Sequence, residues 1–141
     1  MFKTLKESFN LLVLDVGHEI NNVALACLDV SDTVFLVTTP DVPSLSNARI
    51  ALEIFKKMGY KDNKVKLIVN RWHMKGGVEF PLIEKNLNVP IEQKIADDPL
   101  LVLKAVNQGV PLIELSKTAE IVKCFEKLAE QIQTASAVKE G

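Results

Sequence analysis

The sequence has few of the residues that mark disulfide-rich, metal-binding or hydrolytic proteins. Its 141 residues include only two cysteines and two histidines. Cys27 and Cys124 lie far apart in helical patterns, so we expect buried free thiols rather than a disulfide or a metal pair. His18 and His73 lack the Cys/His spacing of a zinc site, and no Ser/His/Asp order or nucleophile elbow is present.

An excess of one charge and long apolar runs are also missing. The net charge is −1, which gives no electrostatic reason to expect nucleic acid or an anionic membrane surface as a partner. No apolar run approaches the length of a transmembrane helix, and we find no signal peptide. We therefore predict a cytoplasmic protein with no integral membrane segment and no nucleic-acid partner. Residues 1–134 are predicted to form a single α/β domain, and residues 135–141 a disordered tail.

Apolar runs alternate with amphipathic helical patterns, which is typical of a parallel α/β sheet. Strands are predicted at residues 11–16, 33–39, 65–70 and 91–96. The first two are almost wholly apolar and are predicted to be central, whereas residues 91–96 alternate in polarity and suit an edge strand. Helices are predicted near residues 1–9, 20–28, 44–58, 80–86, 98–109 and 118–132.

Residues 11–16 are the most informative segment, because they look like one half of an ATP site. Four apolar residues, Leu-Leu-Val-Leu, lead to Asp15 and then Gly17, so the carboxylate should emerge at the carboxyl edge of the sheet. In P-loop nucleotidases such an aspartate holds Mg²⁺ beside a glycine-rich loop. No such loop occurs here, since Lys75-Gly76-Gly77 lacks the Gly-Lys-Ser/Thr that would follow. A buried strand that simply ends at a capping aspartate is the alternative.

Asn70 and Arg71 end the third predicted strand. The side-chain amide of Asn70 is both donor and acceptor at the mouth of the sheet, which is the chemistry needed to bind the edge of adenine. Asparagine also ends strands by its turn preference, so the residue alone does not decide between the two roles.

Four segments together resemble the C-terminal half of ParA/MinD-type ATPases. They are Asp-Val-Gly-His-Glu at residues 15–19, residues 26–45, Val-Asn-Arg at residues 69–71, and residues 105–112. The most similar branch is the CpaE/TadZ-like proteins of pilus assembly and polar localisation. The resemblance covers about residues 5–132 and is most specific at Val-Thr-Thr-Pro-Asp, residues 37–41. It implies a Rossmann-like three-layer parallel sheet, a partial P-loop NTPase fold that lacks the P-loop strand.

The resemblance also implies roles for individual residues, with ATP and Mg²⁺ as cofactors. Asp15 matches the magnesium-associated acid, as catalytic residue and metal ligand, and Gly17 falls in the γ-phosphate-sensing switch. Nucleotide binding is implied for a second set: Asn70, Arg71, Ala96, Asp97 and Asp98. Two positions depart from the family pattern, because the family often has prolines where this chain has Gly17-His18 and proline where it has Ala96.

The P-loop strand of this family normally lies between the strand that bears the acid and the next strand. Without it, residues 11–16 and 33–39 must pair directly, leave a gap, or accept a strand from another chain, because unpaired buried backbone is costly. We interpret the sequence as the C-terminal portion of such an ATPase, either a fragment or a natural half-protein. We expect no ATP hydrolysis by this chain alone and self-association through an exposed edge or helix face. Pilus-assembly or polarity proteins are further candidate partners.

Two other functions stay open at this point. The first is a non-enzymatic interaction module of the same ancestry that uses the sheet edge or the helix at residues 44–58. The second is a small flavodoxin- or receiver-like regulatory domain. The lone Asp15 disfavours a receiver, which needs an acidic pair near its start, and the lack of a phosphate loop after the first strand disfavours a flavodoxin.

Overall fold

The computed structural model describes residues 2–61 and 63–137, which form a parallel sheet flanked by helices. The sheet contains β1 (Val34–Thr38), β2 (Val65–Trp72) and β3 (Ile91–Ala96), in the order β1-β2-β3. The helices are α1 (Phe2–Ser8), α2 (Asn22–Val30), α3 (Val42–Lys57), α4 (Phe80–Leu87), α5 (Pro99–Gln108), α6 (Leu112–Leu115) and α7 (Glu120–Ala137). Both strand pairs are parallel, so the predicted α/β class is confirmed.

One face of the sheet packs against α3 and α4. The alternating side chains Leu67 and Val69 of β2 point to this face, because successive residues of a strand face opposite sides. They meet apolar side chains at helical spacing on the two helices: Leu45, Ala48, Ile83 and Leu87. This cluster is the first hydrophobic core.

The other face packs against the C-terminal helices. Ile68 of β2 and Ile95 of β3 meet Ile121 and Val122 of α7, and Leu101 of α5 packs against the same cluster. Burial of apolar surface on both faces places the sheet between two helical layers. The predicted three-layer arrangement is therefore confirmed.

Helix ends follow the local sequence. Asp41 caps α3 and Asp98 caps α5, each with a proline in the first helical turn. Gly109 ends α5 with φ +65°, a left-handed conformation that glycine adopts without steric cost. This order of cap residue, proline and terminal glycine is the one that helix ends prefer, and α5 with its two cap residues spans the predicted residues 98–109.

The prediction of a strand at residues 11–16 is wrong. This segment, called the apolar segment below, forms neither a helix nor a strand and belongs to no sheet. Among the described residues, no backbone–backbone hydrogen bond joins it to another part of the chain. A strand requires a hydrogen-bonded neighbour, and β1, the next element with a strand pattern, pairs with β2 alone among the described strands. The apolar pattern predicts a buried strand, but strand formation depends on a pairing partner that the pattern does not specify.

The central position predicted for residues 33–39 is also wrong. β1 pairs only with β2 and is one edge of the sheet, while β2 is central. Val34 and Thr38 are buried, but Phe35 and Val37 on the opposite face are exposed. The predicted edge position of residues 91–96 is confirmed, because β3 forms the other edge.

Three further predictions concern helix α7, the cysteines and membranes. Helix α7 extends to Ala137, into the segment 135–141 that we expected to be disordered, and residues 138–141 lie outside the described residues. Cys27 and Cys124 are free thiols, half-buried rather than fully buried. No helix in the described part of the chain is long and apolar enough to cross a membrane.

Candidate functional site

The carboxyl ends of the three parallel strands meet at one edge of the sheet. β1 leads into residues 39–41, β2 ends with residues 70–72, and β3 leads into residues 97–98. The loop after β2 contacts the loop after β1, because the Val78 N–H donates to the Pro40 carbonyl over 2.6 Å. Ligands of open α/β sheets bind at this edge, so polar side chains at the ends of these strands are candidate binding residues.

A β-bulge shapes the end of β2. Val69 pairs with Lys94 and Trp72 pairs with Ala96, so three steps along β2 oppose two along β3. Arg71 lies inside the bulge with φ +56°, a left-handed conformation that is unusual for a residue with a side chain. Bulges re-aim side chains and are frequent beside functional sites. Here the bulge determines where Asn70 and Arg71 point.

Arg71 connects β2 to the loop after β3. Its Nε donates to Oδ1 of Asp97 over 3.1 Å, in an ion pair whose carboxylate is mostly buried and whose guanidinium is half-exposed. The backbone is joined as well, because the Asp97 N–H donates to the Trp72 carbonyl over 2.9 Å. The structure therefore brings together two of the predicted site residues, Arg71 and Asp97.

Asn70 is half-buried at the same edge. Its Oδ1 accepts a hydrogen bond from the Arg71 N–H over 2.9 Å, which orients the amide. An amide oxygen has two lone pairs and the nitrogen has two donors, so the group retains both kinds of hydrogen-bonding capacity. The contact resembles a turn contact, as the alternative interpretation of Asn70 expected, and it leaves the binding role open.

Ala96 and Asp98, the other two residues of the predicted nucleotide-binding set, have structural roles. The side chain of Ala96 is buried in the second hydrophobic core. Oδ1 of Asp98 accepts from the Leu101 N–H over 3.0 Å and caps α5. Asp97 is thus the residue of this loop whose side chain faces the end of β2.

Asp15 lies near the end of the apolar segment, and Gly17 follows it in the exposed connection to α2. Oδ1 of Asp15 accepts from the Gly17 N–H over 3.1 Å, a local turn, and Gly17 has φ +70°. No hydrogen bond or ion pair joins Asp15 to the residues at the ends of β2 and β3 in the described part of the chain. The described residues also contain no group of three or more His, Cys, Asp or Glu side chains that could hold a metal ion. Asp15 stands as a single exposed carboxylate.

A polar cluster at the end of β1 was not predicted as part of the site. The Thr39 hydroxyl donates to the Asp41 carboxylate and lies 2.9 Å from the Ser44 hydroxyl. Oδ1 of Asp41 accepts from the Ser44 N–H over 3.0 Å. The hydrogen bond from Thr39, followed by that from the Ser44 backbone, lowers the pKa of Asp41 below its ordinary value of 3.8. The signal was the Thr-Thr-Pro-Asp sequence, where the resemblance described in the sequence analysis is most specific.

An aromatic cluster beneath the bulge was also missed. Nζ of Lys94 lies 3.6 Å from the ring centroid of Phe80 and 4.8 Å from that of Trp72, and the two rings meet edge to face. A cation over aromatic faces is attracted by their quadrupoles. Since Trp72 ends the bulge, this cluster fixes the strand that presents Asn70.

The donor set fits part of a nucleotide. Amide and charged groups at the ends of β2 and β3 can bind a base. A single carboxylate such as Asp15 can serve Mg²⁺, which keeps several waters and takes its other ligands from phosphates. The sequence has no glycine-rich loop with a phosphate-binding lysine, so the residues present do not fit a triphosphate. No hydrolytic step follows from this geometry.

No family model matches the chain, but individual relatives do. It is 29% identical over 136 residues to the septum site-determining protein MinD of Thermotoga maritima, which covers 93% of this chain and 49% of that protein. It is 25% identical over 135 residues to an uncharacterized ATP-binding protein of Methanocaldococcus jannaschii, covering 94% and 49%. The chain spans about half the length of the curated relatives it matches.

Solved structures have the same fold. A ParA family ATPase from Chlorobium tepidum superposes with a TM-score of 0.84 at 22% identity, covering 91% of this chain and 53% of that one. The septum site-determining protein MinD of Pyrococcus horikoshii, solved in complex with Mg-ADP, superposes with a TM-score of 0.79 at 21% identity, covering 97% and 56%. At these identities the likeness concerns the fold.

Proposed function

We propose that this chain supplies the base side and the magnesium-side acid of a nucleotide site. The proposal rests on the homology of the chain to MinD/ParA-family P-loop ATPases over most of its length. In this proposal Asn70 and Arg71 bind the adenine edge, Asp97 holds Arg71 in place, and Asp15 serves Mg²⁺. The triphosphate requires a phosphate loop that these residues do not contain. ATP hydrolysis by this chain alone is therefore not expected.

One observation carries the proposal: the bulge at the end of β2 projects Asn70 and Arg71 at the edge where relatives of this fold class bind ligands. The left-handed conformation of Arg71 costs free energy that other contacts must offset, and such strain is concentrated at functional sites. The Arg71–Asp97 pair and the Trp72 cluster hold the bulge in this conformation. With the bulge held by these two sets of contacts, the side-chain amide of Asn70 is oriented and stays accessible to a ligand.

The base and the phosphates make separable contributions to affinity. Phosphoryl transfer depends on positioning and charge neutralisation by the phosphate loop, its lysine and Mg²⁺. Because Asp15 can meet Mg²⁺ only where a phosphate loop holds the triphosphate beside it, this chain alone should bind adenosine, AMP and Mg·ATP with similar, weak affinity. Additional phosphate groups should not increase the affinity of a ligand when no hydrogen-bond donors are placed to bind them.

The test is an NMR titration of the chain with adenosine, AMP, Mg·ATP and guanosine. We expect adenosine to shift the amide resonances of Asn70, Arg71 and Asp97, with similar dissociation constants for the three adenine compounds and no matching effect of guanosine. Asn70→Ala should abolish these shifts. Asn47→Ala, an exposed substitution on α3, is the matched control and should leave them unchanged.

Two results would contradict the proposal. If adenosine leaves the end of β2 unperturbed at millimolar concentration, the base side is not a binding site. If Mg·ATP binds far more tightly than adenosine, or is hydrolysed, then the chain holds a phosphate site that its sequence does not indicate.

The narrower functions expected from the sequence remain hypotheses. The relatives named above carry septum-site, ParA family and ATP-binding descriptions, so a CpaE/TadZ-like role in pilus assembly or polar localisation has no support from them. The homology favours this family over the flavodoxin- and receiver-like alternatives. A cytoplasmic location and pilus or polarity partners stay predictions from sequence.

A further inference from the structure

Lys94 of β3 reaches across the bulge at the end of β2. Its backbone is in register with Val69, before the bulge, and the next pair in register joins Trp72 to Ala96, after the bulge. The Nζ of Lys94 lies 4.8 Å from the centroid of the Trp72 ring. Lys94 therefore contacts β2 on both sides of the bulge, and residues 70–71 lie between these contacts.

The same ammonium group contacts the other end of the connection between β2 and α4. Phe80 is the first residue of α4, and the Nζ of Lys94 lies 3.6 Å from the centroid of its ring. The rings of Phe80 and Trp72 meet edge to face, with their centroids 5.8 Å apart. Residues 73–79 connect the two rings, so Lys94 holds the start and the end of this connection together.

The charge of Lys94 faces aromatic rings rather than a carboxylate. Its side chain is half-buried, and no salt bridge joins it to an acidic residue in the described part of the chain. Removing an ammonium group from water costs free energy, which the attraction between a cation and the faces of aromatic rings offsets. The methylene stem of a lysine also packs on apolar surfaces without its charge. The two contributions can be separated, because methionine keeps an unbranched stem and arginine keeps a cation.

We propose that Lys94 is a positioning residue of the base side. Its ammonium group, held over the rings of Trp72 and Phe80, stabilises the bulge and with it the left-handed conformation of Arg71. The direction of the Asn70 amide depends on the same backbone, because its Oδ1 accepts from the Arg71 N–H. The consequence for ligand binding rests on the proposed function, whereas the consequence for the bulge does not.

The first measurement is made by NMR without nucleotide. The Cα chemical shift and the three-bond HN–Hα coupling of Arg71 report its φ, which is +56°. We expect Lys94→Met to move both values towards those of a regular strand, and Lys94→Arg to keep them. Lys66→Met is the matched control, because Lys66 lies on β2 before the bulge and its Nζ contacts the Glu92 carboxylate at 3.1 Å. It should leave both values for Arg71 unchanged.

The second measurement is an adenosine titration of the same four chains. Lys94→Met should weaken adenosine binding at least about threefold, which is the scale of one cation–π contact at a partly exposed site. Lys94→Arg and Lys66→Met should both bind adenosine within about twofold of the unmodified chain. Urea denaturation verifies that each variant is folded.

A variant of the nearer ring tests the same contact from the other side. Phe80→Leu keeps an apolar side chain at the start of α4 but removes the ring that Lys94 contacts at 3.6 Å. It should change the Arg71 conformation and the adenosine affinity as Lys94→Met does, and it decides the question if Lys94→Met does not fold. In the double variant the two effects should not add, because both substitutions remove one interaction.

Two results would overturn the proposal. If Arg71 keeps its left-handed conformation in both Lys94→Met and Phe80→Leu, the cation does not stabilise the bulge. If Lys94→Arg changes the bulge as much as Lys94→Met does, the packing of the stem acts rather than the charge. A chain that binds no adenosine, but whose Arg71 conformation still responds to Lys94→Met, supports the positioning role. In that case it is the proposed function that fails.

Discussion

Arg71 and Asp97 are joined twice, once through their side chains and once through the backbone beside them. The Arg71 Nε to Asp97 Oδ1 distance is 3.1 Å, and the Asp97 N–H donates to the carbonyl of Trp72, the residue after Arg71. With its guanidinium half-exposed, the ion pair contributes no more than about 1 kcal/mol to stability. Its larger effect is geometric, because it fixes the direction of a side chain in a bulge.

The strain at Arg71 can be measured by comparing two substitutions. Arg71→Ala and Arg71→Gly both remove the ion pair, but only alanine keeps the steric cost of φ +56°. We expect the glycine variant to be more stable than the alanine variant by about 1 kcal/mol in urea denaturation. Lys66, which pairs in continuous register with Phe35 of β1, is the control position, and there the glycine variant should be the less stable of the two. Equal stabilities at position 71 would show that the bulge stores no strain.

Local signals explain why most helices were predicted correctly from sequence. The start of α5 was predicted from Asp98 and Pro99, since an aspartate followed by proline is a local pattern, whereas Asp41 was not predicted as the cap of α3. The edge position of β3 followed from its alternating polarity. In the site, the position of Asn70 at the carboxyl edge followed from the parallel sheet, whereas Asp97 was assigned to the site by the resemblance.

Features that depend on distant parts of the chain could not be predicted from such local patterns. The apolar segment has the composition of a buried strand, but strand formation depends on a neighbour elsewhere in the chain. The prediction that β1 is central failed for the same reason, because the composition of a strand does not show which strands pair with it. The bulge at Arg71 has no local mark, since no glycine or asparagine occupies the left-handed position. Ala96 was assigned to the site by resemblance, yet its side chain is buried in the core.

Asp41 should make stability depend on pH in the acid range. Its pKa is lowered by hydrogen bonds from Thr39 and Ser44, so the folded state favours the carboxylate. The stabilisation is complete above the ordinary value of 3.8 and is lost as the pH falls through the lowered pKa. Asp41→Ala should destabilise the protein by about 1 kcal/mol at neutral pH.

Asp41→Asn is the matched control, because asparagine caps helices but does not titrate. Urea denaturation at several pH values should show the stability difference between wild type and Asp41→Asn shrinking as the pH falls below 3.8. A difference that stays constant with pH would contradict the assignment of the lowered pKa to Asp41.

The first core can be tested on α4, where adjacent residues differ in burial. Ile83 is fully buried among β2 and α3 side chains, while its neighbour Leu82 is 49% exposed. Ile83→Ala should cost about 3 kcal/mol of unfolding free energy, from lost burial and the cavity that remains. Leu82→Ala should cost less than about 1 kcal/mol. Similar losses in chemical denaturation would mean that α4 does not pack on β2 as described.

Tyr60 is the single tyrosine of the chain, so its titration can be followed without interference from other phenols. It contacts both α2 and α3. Its hydroxyl donates to Oδ1 of Asp29 over 2.6 Å, and its ring stacks on Phe55. Burial, together with this hydrogen bond, raises the pKa of Tyr60 to about 12. The folded state therefore favours the neutral phenol. The stabilisation is complete below the ordinary pKa of 10.0 and is lost as the pH rises from there through the folded pKa.

Absorbance of the phenolate gives this pKa directly, with circular dichroism recorded in parallel to show that the chain stays folded. We expect a midpoint about two units above that of the chain unfolded in urea. Asp29→Asn should lower the pKa of Tyr60 without returning it to the unfolded value, because burial, the larger cause, persists. A folded chain that titrates near 10.0 would show that α2 does not hold Asp29 against Tyr60, and would leave α2 without its contact to the end of α3.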